Sequence, residues 1–231
     1  VSKAATASQQ NQTVKQDKMT RYYQDLNIYR VPKGFRGRPA WFVQLWWIVE
    51  ALLFKTSPQV CYGWRRFLLR IFGARIGKGV NIRPTATITY PWKLTIGDWS
   101  WIGDHVTLYT LGEIVIGEHA VVSQHCYLCT GSHDHTLTTF DIWAQTITIE
   151  PEAWLATNVF VGPGVTVGYG AVVGACSVTL KDVPAGMVCT GNPLRVIRRR
   201  VPLDQQTTQQ PEDEWITCRQ GSAEALTVHP Q

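Results

Sequence analysis

Cysteine is scarce in this chain, six residues in 231, too few for a disulfide-stapled scaffold of that length. Charge is modest as well: 17% charged against 45% hydrophobic residues describes a globular chain and excludes a disordered one. Residues 1–18 (VSKAATASQQNQTVKQDK) hold no apolar core run, so they are not expected to act as a secretory leader. A spanning helix is not expected either. The most apolar stretch, WFVQLWWIVEALLF at 41–54, is broken by Gln44 and Glu50, and as a helix it would be about 21 Å long, short for a bilayer. The expectation is a reduced, cytoplasmic protein with one main domain and an appendage.

The charge that is present is uneven. The net +5 divides into +8 over residues 19–75, −1 over 76–200, −4 over 201–231 and +2 over 1–18. The basic character belongs to one segment and needs an explanation there.

The dominant pattern is a repeat. Ile76, Ile82, Ile88 and Leu94 stand six apart, and after a two-residue slip Ile96, Ile102, Leu108 and Ile114 resume the beat. Ile116, Val122 and Leu128 follow a second slip, and Ile149, Leu155, Val161, Val167 and Val173 follow an interruption. Glycine comes directly after many anchors, and a small or β-branched residue four after them. A period of six fits neither a helix nor an ordinary strand pair. It fits short strands joined by tight corners, an inward aliphatic on each strand and three strands to a triangular coil. The predicted fold is mainly β, a parallel β-helix of hexapeptide repeats. Glycine is expected where a turn needs positive φ or where space is short.

Two helices are expected before the repeat. The first covers 41–54. The second starts at Ser57-Pro58, presents Val60, Trp64, Phe67, Leu68 and Ile71 as its apolar stripe, and stops at Gly73. Together they would close the open end of the β-helix, which otherwise exposes core and unpaired strand edges.

From Ile76 to Arg198 the chain resembles the hexapeptide-repeat acyltransferases, and within them the sugar O-acetyltransferases of the colanic acid biosynthesis type. The matching blocks are RRFLLRIFGARIGKGV (65–80), YPWKLTIGDWSWIGD (90–104), CTGSHDH (129–135), VGPGVTVGYGAVVGACSV (161–178), KDVPAG (181–186) and GNPLRVIRRR (191–200). The resemblance implies a left-handed parallel β-helix, acetyl-CoA as donor, a sugar hydroxyl of an exopolysaccharide or surface glycan as acceptor, and a homotrimer with active sites between subunits. It divides the chain into an extension at 1–18, an aromatic and basic helical cap at 19–75, and the acetyltransferase domain at 76–194 with its active-site loop at 130–146. A basic segment and a polar tail occupy 195–231.

The chemistry needs few groups. An alcohol must lose its proton as it attacks a thioester, and the departing thiolate must gain one. A histidine near neutral pKa can do both without a covalent intermediate. The resemblance places this base at His133, with His135 in reserve for a different loop register. Asp104 matches an acceptor-binding position; the alternative is a corner residue accepting a turn hydrogen bond. Donor contacts are implied at Thr157, at Ala175 through its backbone, and at Lys181, with Arg195 and Arg198 for the phosphates. Trp154 is a candidate to line the groove.

Other readings compete. β-Helices also support zinc enzymes of the carbonic anhydrase type, but His105, His119, His125, His133 and His135 show no three-ligand spacing, so no metal is expected. His105 and His125 fall on neighbouring coils, and Cys126 and Cys129 read as compact core residues. For residues 41–72 two readings stand side by side: a buried cap with a solvated basic face, or an interfacial helix pair against anionic lipid at the inner membrane face, extending to a non-catalytic scaffold there. No nucleic-acid reader motif is visible.

Overall fold

Six residues suffice for a two-residue strand and a four-residue corner, and three such units close a triangle. In the computed structural model, which describes residues 23–201, this closure builds a three-sided prism. The expected 1–18 extension and all of the polar tail except Val201 lie outside the described residues. The first coil holds β1 (Arg75–Ile76), β2 (Asn81–Ile82) and β3 (Thr87–Ile88); the second β4 (Leu94–Ile96), β5 (Trp101–Ile102) and β6 (Thr107–Tyr109); the third β7 (Ile114–Ile116), β8 (Val121–Val122) and β9 (Tyr127–Cys129). A hairpin of β10 (Gly131–His133) and β11 (Ile142–Ala144) interrupts. Then come β12 (Ile147–Ile149), β13 (Trp154–Leu155) and β14 (Phe160–Val161), followed by β15 (Thr166–Val167), β16 (Val172–Val173) and β17 (Val178–Thr179). β18 (Met187–Thr190) and β19 (Arg195–Arg199) close the far end.

Strands stack in register into three parallel faces. Face A is β1-β4-β7-β12-β15, face B is β2-β5-β8-β13-β16-β18 with β19 antiparallel at its end, and face C is β3-β6-β9-β14-β17. Early coils take twenty residues, Ile76 lying opposite Ile96 and Ile96 opposite Ile116. Later coils take eighteen, Ile149 lying opposite Val167. The two-residue slips in the sequence are therefore wider corners between faces C and A.

The anchors point inward and form one continuous column: Ile82, Ile102, Val122, Leu155 and Val173 on face B are all at most 1% exposed. The small residues four positions after the anchors, Ala86, Ala120, Cys126 and Ala171 among them, fill the corners and are fully buried. Each buried aliphatic side chain contributes about 1.5–3 kcal/mol.

The glycines after the anchors answer to space alone. A Cβ on Gly97 would lie 2.5 Å from the Glu118 nitrogen, and one on Gly117 2.4 Å from the Pro151 nitrogen. Positive φ occurs two residues later instead. Trp99, His105, His119, His125, Glu152, Asn158 and Cys176 occupy the left-handed region with φ between 54° and 61°. Each places its N–H on the preceding coil, His105 on the Thr85 hydroxyl and the others on a carbonyl, as His125 does on Asp104 at 2.9 Å, so stacking holds a backbone that a side chain disfavours. Three of the histidines are corner residues of this kind.

The first coil would leave its strand edges unpaired, and the cap pairs them. Helix α1 (Ala40–Val49) runs into a π-helical turn (Glu50–Phe54), and α2 spans Tyr62–Ile71. Trp46 Nε1 donates to the Ile88 carbonyl at 2.8 Å, and Glu50 Oε1 accepts from the Ile88 N–H at 2.9 Å. Arg65 Nε donates to the Ile82 carbonyl, Arg66 to Val80, and Arg70 to Ile76 and Gly77, at 2.6–3.0 Å. Buried Arg65 also holds the α1–α2 connection through Ser57, Pro58 and Gln59.

The cap departs from expectation in its second helix. α2 begins at Tyr62, because Ser57 gives its hydroxyl to the Phe54 carbonyl instead of capping a helix. Its predicted stripe is turned the wrong way: Val60, Trp64, Phe67 and Ile71 are 81%, 41%, 52% and 58% exposed, and of that set only Leu68 is buried. The buried side is Arg65, Leu68, Leu69 and, at the C-cap, Phe72. Arg65, Arg66 and Arg70 all donate to the first coil, with Arg65 fully buried, Arg66 half-buried and Arg70 exposed. The expected stop holds, with Gly73 at φ 90° just past the helix.

Candidate active site

The hairpin leaves the prism at the edge between faces C and A, directly after β9. Its base is packed by the same edge of the neighbouring coils. Leu111 lies against Gly131, Ala144 and Gln145 against Gly112, and Gln145 against Gly164. Buried Thr130 fixes the take-off, accepting from the Gly112 N–H and donating to the Tyr109 carbonyl. β10 and β11 pair antiparallel, His133 opposite Ile142.

His133 is held on two sides. Its ring stacks on Phe140 with centroids 4.3 Å apart and 6° between planes, and Tyr29 approaches to 5.7 Å. Nδ1 lies 2.8 Å from the Phe140 carbonyl oxygen. A carbonyl only accepts, so Nδ1 carries the proton and Nε2 of the neutral ring keeps a free lone pair. Phe140 itself sits at φ 51°, the left-handed region. Asp134, for which the sequence suggested no role, builds the tip. Its Oδ1 accepts from both the N–H and the hydroxyl of Thr136, which hold its carboxyl below the usual range. His135 is exposed at that tip. A strap from the N-terminal side crosses the loop, Asp25 donating its N–H to the Thr138 carbonyl at 2.8 Å. Lys93 anchors the strap through the Phe35 and Leu111 carbonyls, and burial lowers its pKa.

Asp104, Thr157 and Ala175 lie on a different edge, between faces B and C, on the second, fourth and fifth coils, each one residue before a left-handed corner at His105, Asn158 or Cys176. Both Asp104 oxygens are engaged within the chain: Oδ2 by Arg83 Nε at 2.7 Å and Oδ1 by the Thr85 hydroxyl at 2.8 Å. Burial pushes this carboxyl up, but the bonds from Arg83 and Thr85 outweigh it and leave it below its ordinary value. These bonds tie the Asp104 corner to the preceding coil. Lys181 belongs to the C/A edge and lines a pocket of about 410 Å³ at the far end together with Arg195. Arg198 stands opposite Val188 on face B, outside that lining. Trp154 is 44% exposed on face B and donates to the Ser123 hydroxyl.

One chain therefore brings Asp104, Thr157 and Ala175 to one edge, His133 and Lys181 to another, and leaves the width of face C between them. Sequence reasoning missed a third feature. An open groove of about 810 Å³ lies where α2 meets face B, lined by Arg66, Asn81, Trp99, Trp101, His119 and Val121 among others. The pair of tryptophans at 99 and 101, around the outward side of anchor Ile102, was its available signal.

The remaining candidates resolve simply. His105 and His125 stack at 5.0 Å and 10°, and among the described residues no group of three or more His, Cys, Asp and Glu side chains converges as a metal site would require. Cys126 is fully buried, which pushes its thiol up to about 11. Cys129 departs from the compact-core reading; it stands opposite Tyr109 on face C, half-buried. No described helix is long and apolar enough to cross a membrane.

Stacked hexapeptide coils interrupted by a histidine-bearing hairpin define an acetyltransferase of the left-handed β-helix class. Its fold is shared by a maltose O-acetyltransferase from Clostridium difficile 630 (TM-score 0.64, 25% identity, 71% of this chain and 90% of that one). A galactoside acetyltransferase in complex with coenzyme A has the same fold (TM-score 0.67, 24% identity, 78% and 89% covered). No family model matches the sequence. A protein of Escherichia coli K12 named for colanic acid biosynthesis, the acetyltransferase WcaF, is 63% identical over 181 residues, 78% of this chain and all of that protein. The chain belongs to this family of colanic acid biosynthesis-type sugar acetyltransferases.

Proposed function

We propose that the protein transfers an acetyl group from acetyl-CoA to a sugar hydroxyl of an exopolysaccharide or related surface glycan. In this reading it works as a homotrimer with His133 as general base. The observation that carries the proposal is the Nδ1–H bond from His133 to the Phe140 carbonyl, which leaves Nε2 able to accept a proton. The relative's name, and the coenzyme A in a structure of the same fold, support the donor and the acceptor class.

The separation of the two edges supports the trimer. A second copy that sets its B/C edge against the C/A edge of the first makes one seam. Along it lie His133 and Lys181 from one chain and Thr157 and Ala175 from the other. The pantetheine arm would follow the B/C edge, with Lys181, Arg195 and Arg198 serving the phosphates. Asp104, tied to Arg83, stands on the same B/C edge as Thr157 and Ala175, where it would face the acceptor across the seam.

In the reaction His133 Nε2 takes the hydroxyl proton as the sugar oxygen attacks the thioester carbonyl carbon. Collapse of the tetrahedral intermediate breaks the C–S bond. The imidazolium returns the proton to sulfur, so the products are the sugar ester and the free thiol. The Phe140 carbonyl and ring hold one tautomer and one ring plane throughout, which orients the base before substrate arrives.

The test is thiol release from acetyl-CoA across a panel of sugar acceptors. His133→Ala lowers transfer by about 10²–10⁴-fold while the sedimentation mass is unchanged. Activity that survives His133→Ala and disappears in His135→Ala would move the base to His135. Activity retained in both and in the double variant would end the histidine mechanism.

A further inference from the structure

The cap carries a surface that neither the prism nor the proposed seam uses. On α1 and its π-turn, Trp41, Leu45, Ile48 and Leu52 recur at helical spacing and are 42–67% exposed. Leu53, Trp64, Phe67 and Ile71 extend the surface across α2. Trp64 Nε1 donates to the Leu53 carbonyl at 3.0 Å, and the Trp64 and Phe67 rings stack at 5.8 Å, so the two stripes are continuous. This is the stripe a soluble helix would bury. It faces outward because the opposite side of α2 is committed to pairing the first coil through Arg65, Arg66 and Arg70.

Apart from buried Glu50, the cap segment 39–75 itself carries charge of one sign. Between residues 39 and 75 the only carboxylate is Glu50, and it is buried against the Ile88 N–H. Lys55 directly follows Leu52, Leu53 and Phe54 and is exposed, and exposed Arg75 follows α2. Arg38 lies over the Phe42 ring beside Trp41. Two copies meeting through this face would set cations against cations. A layer of anionic headgroups over acyl chains matches both the sign and the apolar, tryptophan-bearing relief.

We propose that the outer face of the cap docks the enzyme on an anionic lipid bilayer as a peripheral, in-plane contact. The short helices lie in the interface, the aromatic and aliphatic side chains enter the headgroup–acyl boundary, and Lys55 and Arg38 meet the phosphates. This proposal does not depend on the chemistry assigned to His133.

The test is co-sedimentation of the full-length protein with vesicles of phosphatidylcholine alone or with about one third phosphatidylglycerol. The wild type pellets with the anionic vesicles, and less so in high salt. Phe67→Glu/Ile71→Glu lowers the partition coefficient at least about tenfold, and Lys55→Glu lowers it about fivefold or more. Thiol release with a soluble acceptor and the far-UV CD spectrum stay at wild-type values in each variant. Should the glutamate pair fail to fold, Phe67→Ser/Ile71→Ser gives the same reading with a smaller drop. Wild type left in the supernatant overturns the proposal. So does undiminished binding by a folded face variant. If the wild type instead sediments without lipid as an assembly that Phe67→Glu/Ile71→Glu dissociates, and binds no vesicles, the face is a contact between copies and the lipid proposal is wrong.

Discussion

Prism and cap treat the same residue types in opposite ways. In the coils every aliphatic anchor turns inward, and its partner six positions on does the same, because a two-residue strand between tight corners has one inward position. In α2 an arginine is buried while Trp64, Phe67 and Ile71 face out. The difference is one of competing demands. Each interior coil has its strand edges paired by the coils above and below, so burial of apolar area decides orientation. The first coil has no coil before it, and its carbonyls at Ile76, Val80, Ile82 and Ile88 need donors. An unpaired buried carbonyl costs about 1–3 kcal/mol, and several together outweigh the burial of three side chains on a surface helix.

That comparison can be broken at its strongest point. Arg65→Leu improves the apolar character of the cap by composition, yet it removes the donors that Ile82, Pro58 and Gln59 use. The expected result in urea unfolding is a loss of about 4 kcal/mol. A neutral or stabilising outcome would mean that the strand edge needs no pairing. Within the prism the limit is space between coils, not polarity. Gly117→Ala drives a methyl into the Pro151 backbone and is expected to cost about 2–3 kcal/mol, whereas Gly170→Ala, with no heavy atom within 4 Å of its Cβ but φ at 61°, costs about 1 kcal/mol.

The smallest effect is a pH dependence at Glu50. Burial raises the pKa of this carboxyl despite the Ile88 N–H and the charge of Lys55. The folded chain therefore binds this proton more tightly than the unfolded one. Its contribution is fully present below the unfolded pKa and is lost as pH rises through the folded one. Glu50→Gln keeps an acceptor for Ile88 and carries no charge. Its melting temperature should match the wild type in acid and exceed it increasingly as pH rises past the carboxylate range. A gap that is the same at all pH values would contradict the assignment.

The coils were legible in sequence because their signal is covalent and local: the spacing of Ile76, Ile82 and Ile88 fixes the strands, corners and core together. The helix at 41–54 and the stop at Gly73 were legible for similar reasons. The facing of α2 was not, because it depends on first-coil carbonyls six to seventeen residues downstream. The left-handed corners at His105, His119 and His125 were hidden as well, since the glycines one residue after the anchors drew attention to the wrong position. At the site, the break in the repeat singled out the hairpin. The grip of Phe140 on His133 follows from the return strand of that hairpin and its left-handed turn, which no spacing revealed. The engagement of Asp104 by Arg83 and Thr85 joins successive coils and is likewise a contact that only stacking creates.

The placement of His133 and Ala175 on different edges of the prism makes the most direct test a mixing experiment. His133→Ala and Ala175→Trp are each expected to be inactive alone, the second by blocking the edge proposed for pantetheine. Co-assembled in equal amounts, the two chains should regain about a quarter of wild-type transfer, since one seam in four joins an intact histidine to an intact edge. Mixtures as inactive as their parents, with mixed trimers demonstrated by mass, would show that each chain carries its whole site and would contradict the seam.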